Sequence, residues 1–183
     1  GADVREGHQA VADAAAGKID FSGSESVGIY TNGTKTNTIT NSGEIITGSS
    51  GVGIFNDNVN AIISNSANIS GGDESVGLYN NGGIINHLAG DIDTGSNGVG
   101  VYSKAGIINL NNGKFNIDNP EEVGIYGKDG AQIDNNMEMN IEQNNYGIIL
   151  NSGSVLVNRN KSTLGENSVL LYSNNVNSVV NET

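Results

Sequence analysis

The sequence predicts an all-β protein, a right-handed parallel β-helix of about seven rungs, each with 23–25 residues and three short strands. Three observations predict this solenoid. A Val-Gly-Ile-Tyr signature recurs once per period, two other short apolar motifs share that period, and the segments between them are rich in Gly and Asn. The 183 residues include 27 Gly and 30 Asn but one Pro. Gly and Asn tolerate the positive φ angles of tight corners, whereas Pro would remove ladder hydrogen bonds.

The first strand of each rung carries the signature. Its clear copies are Val27-Gly28-Ile29-Tyr30, Val52-Gly53-Ile54-Phe55, Val76-Gly77-Leu78-Tyr79, Val99-Gly100-Val101-Tyr102 and Val123-Gly124-Ile125-Tyr126. Two degenerate copies follow, Tyr146-Gly147-Ile148-Ile149 and Val169-Leu170-Leu171-Tyr172. A period this short is typical of a solenoid coil, because a propeller blade needs about 40–45 residues.

The second and third strands come from the other two motifs. One is an Ile pair that leads into Asn or Ser, as in Ile84-Ile85-Asn86, and the other is a short strand that closes on Gly or Asn, as in Asp91-Ile92-Asp93-Thr94-Gly95. The apolar residues lie in runs or at alternate positions and are mostly β-branched, which favours strands over helices. Each strand is expected to pair in parallel with its equivalent one turn later, and crossovers of this kind are right-handed by default.

Side chains alternate between the two faces of a strand, so we expect the Val and Ile positions of the signature to face the core. The Gly and aromatic positions then face outward, and Ile149 interrupts a column of aromatic residues: Tyr30, Phe55, Tyr79, Tyr102, Tyr126 and Tyr172. The opposite phase, with the rings inside, stays open. This column either stacks across rungs and fixes their register, or it forms a flat platform for a sugar or a partner protein.

The two ends of the chain differ from its middle. Residues 1–9 are predicted to be a lead-in, and residues 10–183 a single β-helix segment cut from a longer solenoid. Residues 11–21 align with the second and third strands of a rung that lacks its first strand, and 13–16 are Ala-rich enough to turn helical. Residues 176–180 begin the second strand of an eighth rung. The stretch 153–168 is the most irregular, and we expect any protruding loop there.

Composition excludes several classes of partner. The formal net charge is −12, from 20 acidic and eight basic residues. This charge argues against nucleic acid and anionic lipid surfaces as binding partners. No apolar run approaches the ~20 residues that cross a bilayer, so we expect no membrane insertion by this segment. The chain has no Cys, which excludes disulfides and thiolate metal sites. We expect a monomer.

The strongest candidate for chemistry is an acidic stripe on the third strands, formed by Asp93, Asp118 and Glu142. Adjacent rungs would bring such carboxyl groups to ~5 Å, a workable distance for a glycosidase, but no basic residue is placed against them. A second acidic cluster precedes the signature strands: Glu25, Glu74, Glu121 and Glu122. His87 is interpreted as a surface residue, and no Ser-His-Asp or zinc pattern exists. We therefore predict that the chain is not an enzyme and that it binds neither a metal ion nor a cofactor.

Taken together, the Val-Gly-[Ile/Leu/Val]-[Tyr/Phe], Ile-Ile-Asn and Gly-x-Ile-x-x-Gly motifs at this spacing, in an acidic chain without Cys, resemble the passenger region of large bacterial autotransporter adhesins of the Asn-rich fusobacterial type. The resemblance covers roughly residues 10–183. It implies an extracellular position at the bacterial surface, with anchorage in the outer membrane through a barrel outside this chain. It also implies attachment to a host-cell or bacterial surface protein or glycan. The alternatives are a structural stalk that displays a distal binding domain and, more distantly, a polysaccharide-acting enzyme.

Overall fold

The computed structural model describes residues 2–4 and 17–182. Within these ranges the chain forms 22 β-strands and no helix. The Ala-rich stretch 13–16, which we expected to be able to turn helical, lies outside the described residues.

The strands form three parallel sheets. Sheet 1 holds the signature strands in the order β1 (Ala2–Val4), β3 (Val27–Asn32), β6 (Val52–Asp57), β9 (Val76–Asn81), β12 (Val99–Lys104), β15 (Val123–Lys128), β18 (Tyr146–Asn151) and β21 (Val169–Asn174). Sheet 2 is formed by β4 (Asn37–Asn41), β7 (Ala61–Asn65), β10 (Ile84–His87), β13 (Ile107–Leu110), β16 (Gln132–Asn135), β19 (Val155–Asn158) and β22 (Ser178–Asn181). Sheet 3 is formed by β2 (Lys18–Phe21), β5 (Glu44–Thr47), β8 (Ile69–Ser70), β11 (Ile92–Asp93), β14 (Lys114–Ile117), β17 (Glu138–Ile141) and β20 (Ser162–Leu164).

Each strand pairs with its equivalent one turn away, as the repeat predicts. Ile84 pairs with Ile62 on one side and with Ile107 on the other, always in parallel. This pattern repeats through the three sheets and gives a β-solenoid of about seven turns, roughly 33 Å tall at the usual strand spacing. The predicted fold class is thereby confirmed, while right-handed winding stays a prediction from the crossover rule.

The ends are more regular than the sequence suggested. Ala2–Val4 pair in parallel with residues 29–31 of β3, so the prediction that the first rung lacks its first strand is wrong. At the other end β22 pairs with β19, which confirms the start of an eighth rung. The stretch 153–168 contains two ordinary strands, β19 and β20, in register with their neighbours. It forms no protruding loop, because its unusual residues are accommodated within corners of normal length.

The core is a thin column of apolar side chains, and each strand of the middle rungs contributes at least one residue to it. In the rung that starts at Val76, these are Leu78, Ile85 and Ile92, each at most 1% exposed. Because each of these residues packs on its equivalents above and below, the stacked rungs bury a continuous core that no single rung could form.

The signature strand departs from simple alternation. Val27 is 39% exposed, whereas Gly28 and Ile29 are both buried, so the prediction that Val faces the core and Gly faces outward is wrong. The pairing register explains this, since Val27 pairs with Val52 and Ile29 with Ile54 while the glycines between them are unpaired. The strand bends at the glycine, and two successive residues turn inward. The Ile and aromatic positions lie as predicted, inside and outside respectively.

The glycine of the signature makes room for the third strand. A Cβ atom on Gly53 would lie 2.6 Å from Ile69 Cγ2 and 2.6 Å from the Gly77 carbonyl oxygen in the next rung. Both separations are below van der Waals contact, so a side chain at this position would push the third-strand core residue or the next rung away. This packing accounts for the glycine in six of the seven signature copies.

Candidate functional site

The aromatic column is a ladder of stacked rings on the outer face of sheet 1. Ring centroids are 4.4 Å apart for Phe55 and Tyr79, 5.0 Å for Tyr79 and Tyr102, and 5.1 Å for Tyr102 and Tyr126. The interplanar angles of these pairs are 14°, 4° and 6°. Tyr30 is tilted by 57° against Phe55. In-register parallel pairing produces this ladder, because it places equivalent side chains directly above one another.

Stacking of this kind limits what the ladder can bind. Tyr79 and Tyr102 are each stacked between two neighbouring rings, so mainly their edges and hydroxyl groups are free for other contacts. A sugar platform needs an open ring face, which Tyr79 and Tyr102 do not offer. Tyr172 is 51% exposed, and Ile149 lies between it and Tyr126 in the register. The geometry favours cross-rung stacking over the platform as the main role of the column.

Polar groups border the ladder on one side. The Lys128 ammonium lies 5.8 Å from the centroid of the Tyr102 ring, within cation–π range. Asn151 Nδ2 donates a hydrogen bond to the Tyr126 hydroxyl over 3.0 Å. Burial, together with the neighbouring Tyr102 and Asp57, raises the pKa of Tyr79 above its usual value. These contacts tie the outer edges of the rings to the next rung.

The predicted acidic stripe is not one column. Asp93 pairs with Asn116, and Asn116 with Asn140, so Asp93 belongs to a polar column in which Asn116 Nδ2 donates to Asp93 Oδ1 over 2.9 Å. Asp118 and Glu142 lie two residues further along their rungs, beyond the ends of their strands. The prediction failed because it aligned acidic residue types and ignored the strand register. Burial, aided by Asp91 and Asp118, raises the pKa of Asp93.

Asp118 and Glu142 line two adjoining shallow depressions at the corner that follows sheet 3. One has a volume of about 430 Å³ and extends to Asn116, Asn140 and Leu164. The other, of about 280 Å³, extends along the corner past Pro120 and Asn144. Most other rungs have glycine where these two carboxylates lie, and a Cβ on Gly95 would be 2.6 Å from the backbone nitrogen of Asp73. The acidic residues therefore prevent the close corner packing that glycine permits elsewhere.

The second acidic cluster contains two kinds of position. Each corner before a signature strand has one non-glycine residue with positive φ, between 54° and 63°: Glu25, Ser50, Glu74, Asn97, Glu121, Asn144 and Asn167. Glu25, Glu74 and Glu121 are exposed members of this set. Glu122 differs from them because it is only 3% exposed, at a position that holds Ser75, Gly98 and Asn145 in other rungs.

Several hydrogen bonds hold the buried Glu122. Thr94 Oγ1 donates to Glu122 Oε1 over 2.9 Å, the Asn119 backbone N–H donates to Oε2 over 2.9 Å, and the Glu122 backbone N–H donates to Asn145 Oδ1 over 3.2 Å. Burial nevertheless dominates and raises the pKa of Glu122 to about 7. The sequence alone places Glu122 in one acidic cluster with Glu25, Glu74 and Glu121. Its offset by one residue from the positive-φ position of Glu121 was the available signal.

His87 is not a surface residue. It is fully buried at the end of β10, which contradicts the sequence-based prediction. Asn65 Nδ2 donates a hydrogen bond to His87 Nδ1 over 2.9 Å, and His87 Nε2 lies 2.7 Å from the Gly90 carbonyl oxygen. Because an amide nitrogen only donates and a carbonyl oxygen only accepts, this arrangement requires a neutral ring with its proton on Nε2. Burial lowers the pKa of His87.

His87 belongs to an internal ladder of polar side chains at the ends of the sheet 2 strands. Asn41 Nδ2 donates to Asn65 Oδ1 over 2.7 Å, and in the C-terminal rungs Asn135 Nδ2 donates to Asn158 Oδ1 over 2.8 Å. Leu110 occupies the same column between His87 and Asn135. Sequence reasoning missed this ladder, although Asn recurs at the last position of the second strand. Its position inside follows only once the Ile before it is placed in the core.

A second internal ladder lies at the fifth position of the sheet 1 strands. Asn56 and Asn80 are both fully buried, and Asn56 Nδ2 donates to Asn80 Oδ1 over 2.8 Å. Buried amides of this kind are stable only when their hydrogen bonds are satisfied. Both ladders therefore require that adjacent rungs keep their register.

The described residues hold no group of three or more His, Cys, Asp or Glu side chains that could bind a metal ion. Among the same residues, no helix is long and apolar enough to cross a membrane.

No protein-family model, no curated protein and no solved structure matches this chain.

Proposed function

We propose that this chain is a passenger segment of a bacterial surface adhesin and that it supports attachment by forming a stiff, regular wall of the solenoid. The recurring signature strands and the acidic, Cys-free composition support this proposal through their resemblance to autotransporter passengers. The partner of the whole adhesin would be a host-cell or bacterial surface protein or glycan, met outside the cell.

The observation that carries the supporting role is the covered aromatic ladder. Four consecutive ring pairs from Tyr30 to Tyr126, one tilted and three stacked, have centroid distances of 4.4–5.3 Å, and each such pair stabilises the fold by about 0.5–1.5 kcal/mol. The aromatic side chains of this outer face therefore pack mainly against one another. Direct contact with a ligand would use ring edges, hydroxyl groups and the bordering Lys128.

A purely structural stalk is the second candidate. The regular register from β3 to β21 favours it, since the described rungs carry no inserted loop that would shape a binding surface. Catalysis is less well supported, because Asp118 and Glu142 line open, shallow depressions and the buried Glu122 is held by hydrogen bonds.

The test compares the purified chain with a Tyr79→Ser/Tyr102→Ser double variant on glycan arrays and on cells. We expect no binding tighter than about micromolar for either protein. The double variant loses three ring pairs, so its free energy of unfolding should fall by about 1.5–4.5 kcal/mol. Val59→Ser, at a residue that is 64% exposed, is the matched control and should leave stability nearly unchanged.

Tight binding by the wild-type chain would contradict the supporting role. If the folded double variant then lost that binding, the aromatic ladder would be the contact surface. If the double variant kept it, the contact would lie elsewhere on the solenoid. Unchanged stability of the double variant would contradict the structural role of the ladder.

A further inference from the structure

The sequence contains four Asn-Gly pairs, at Asn32, Asn81, Asn97 and Asn112. These pairs have different surroundings in the structure. In such a pair the glycine backbone nitrogen can attack the side-chain carboxamide of the preceding asparagine. Glycine has no side chain to obstruct the approach, so sequence alone ranks the four pairs equally. The environment of the glycine nitrogen and of the asparagine carboxamide distinguishes them in the folded chain.

In two of the pairs, the attacking group, the glycine backbone N–H, already donates a hydrogen bond to a backbone carbonyl oxygen. The Gly82 N–H donates to the Lys104 carbonyl oxygen over 3.0 Å, and the Gly98 N–H donates to the Gly95 carbonyl oxygen over 3.0 Å. Asn81 is restrained further, because its Nδ2 donates to Asp57 Oδ1 over 2.7 Å. Attack by either glycine nitrogen would first require loss of a hydrogen bond that holds a corner or a rung. In a third pair, Asn32 is half-buried and its Oδ1 is screened from solvent.

Asn112 and Gly113 have the opposite arrangement. The Gly113 N–H donates to Asn112 Oδ1 over 3.0 Å, so the nitrogen lies beside the carboxamide that it would attack. Asn112 is exposed to water. The Gly113 carbonyl oxygen accepts a hydrogen bond from the Glu138 backbone N–H over 3.1 Å, which holds the glycine in place. The pair is thus close to a reactive geometry, open to solvent and free of a competing backbone bond to the nucleophile.

The geometry points to Asn112 as a site of spontaneous deamidation through a succinimide. Hydroxide removes the Gly113 amide proton, and the nitrogen lone pair forms a bond to Asn112 Cγ. The Cγ–Nδ2 bond breaks, and ammonia leaves after it takes up a proton from water. Water then adds to either ring carbonyl and opens the ring. The products are aspartate or isoaspartate, and no redox partner is needed.

Conversion of Asn112 changes the corner between β13 and β14. Both products add one negative charge to an already acidic chain. Isoaspartate also adds a methylene group to the backbone, directly before Gly113, where an added Cβ would already clash with the Gly90 carbonyl group. That contact leaves no space for a longer backbone, so isoaspartate should loosen this corner whereas aspartate should not.

The test is peptide mapping by mass spectrometry after incubation of the folded chain at mildly alkaline pH. Trypsin releases Asn112 in the peptide 105–114, which is bounded by Lys104 and Lys114, and fragmentation distinguishes Asn112 from the neighbouring Asn111. We expect Asn112 to react roughly two- to tenfold faster than Asn81 and Asn97, the ratio that corresponds to one net hydrogen bond. In urea the four pairs should react at similar rates.

Two outcomes would overturn the inference. Asn81 or Asn97 could react as fast as Asn112 in the folded chain, or the preference for Asn112 could persist in urea, which would attribute it to local sequence. An Asn112→Gln variant, whose longer side chain disfavours ring closure, should lose the product in peptide 105–114 and retain the slower reactions elsewhere. Persistence of the product in that peptide would assign it to Asn109 or Asn111 and also contradict the inference.

Discussion

Buried His87 should make the stability of the folded chain sensitive to acid pH. The Asn65 Nδ2 donor faces His87 Nδ1, so a protonated ring would place two donors against each other at this position. Rotation of the Asn65 amide would relieve that clash, but it would break the hydrogen bond that Asn65 Oδ1 accepts from Asn41 Nδ2 and the one that Asn65 Nδ2 donates to the Ala67 carbonyl oxygen. Folding therefore favours neutral His87, and the pKa of the folded state is lowered from 6.5.

The sign of the pH dependence follows from this shift. Below pH 6.5 the unfolded chain binds a proton at His87 that the folded chain does not bind. Stability is therefore fully present above pH 6.5 and is lost as pH falls from there through the folded-state pKa. One proton limits the loss to about 1.4 kcal/mol per pH unit within that window. Asp91 is the charged group that acts in the opposite direction on His87.

The perturbation is His87→Asn, because Asn occupies the equivalent position in Asn65 and Asn135. The assay is urea unfolding of both proteins at pH 7.5 and pH 5.5. The wild type should lose up to about 1.4 kcal/mol more than the variant between these pH values, since other titratable groups contribute equally to both. Equal pH dependence of the two proteins would refute the reasoning. So would a His87 pKa at or above 6.5 in an NMR titration of the folded wild type.

Two other predictions follow from single buried positions. Gly53→Ala should destabilise the chain by about 1–3 kcal/mol in urea unfolding, because its Cβ would meet Ile69 and the Gly77 carbonyl oxygen at 2.6 Å. Gly23→Ala, with open space around the new Cβ, is the matched control, and equal effects of the two variants would contradict the packing argument. Glu122 has its pKa raised from 4.5 to about 7, so its contribution to stability is fully present below pH 4.5 and is lost as pH rises through about 7. The free energy of unfolding of Glu122→Gln, relative to that of wild type, should therefore be higher at pH 8 than at pH 5, by roughly 3 kcal/mol at most. An unchanged difference between the two pH values would contradict the burial of a charged carboxylate.

The fold was predictable because the sequence repeat determines how the strands are arranged. Period, strand count and parallel pairing all follow from the spacing of the signature strands and the β-branched runs between them. The outward position of the aromatic residues also followed from alternation, since Ile29 inside places Tyr30 outside.

Local geometry was less predictable where a rung departs from an ideal strand. Alternation placed Val27 inside because it assumes a straight strand, whereas the bend at Gly28 turns two successive residues inward. The stripe of Asp93, Asp118 and Glu142 failed because register is set by the strands, and two of these residues lie in a corner. His87 appeared to be an isolated polar residue until its position in the Asn column was known.

Cross-linking of adjacent rungs tests the stacked register on which the ladders and the proposed function depend. The chain has no native Cys, so an Ile84→Cys/Ile107→Cys pair reports one contact alone. These residues pair in parallel with Cα atoms about 4.8 Å apart, within the range of a disulfide. Ile62 and Ile107 both pair with Ile84, on opposite sides, and lie about 9.6 Å apart. The stacked register predicts rapid disulfide formation in the first pair and none within a chain in the Ile62→Cys/Ile107→Cys pair, and the reverse order would contradict this register.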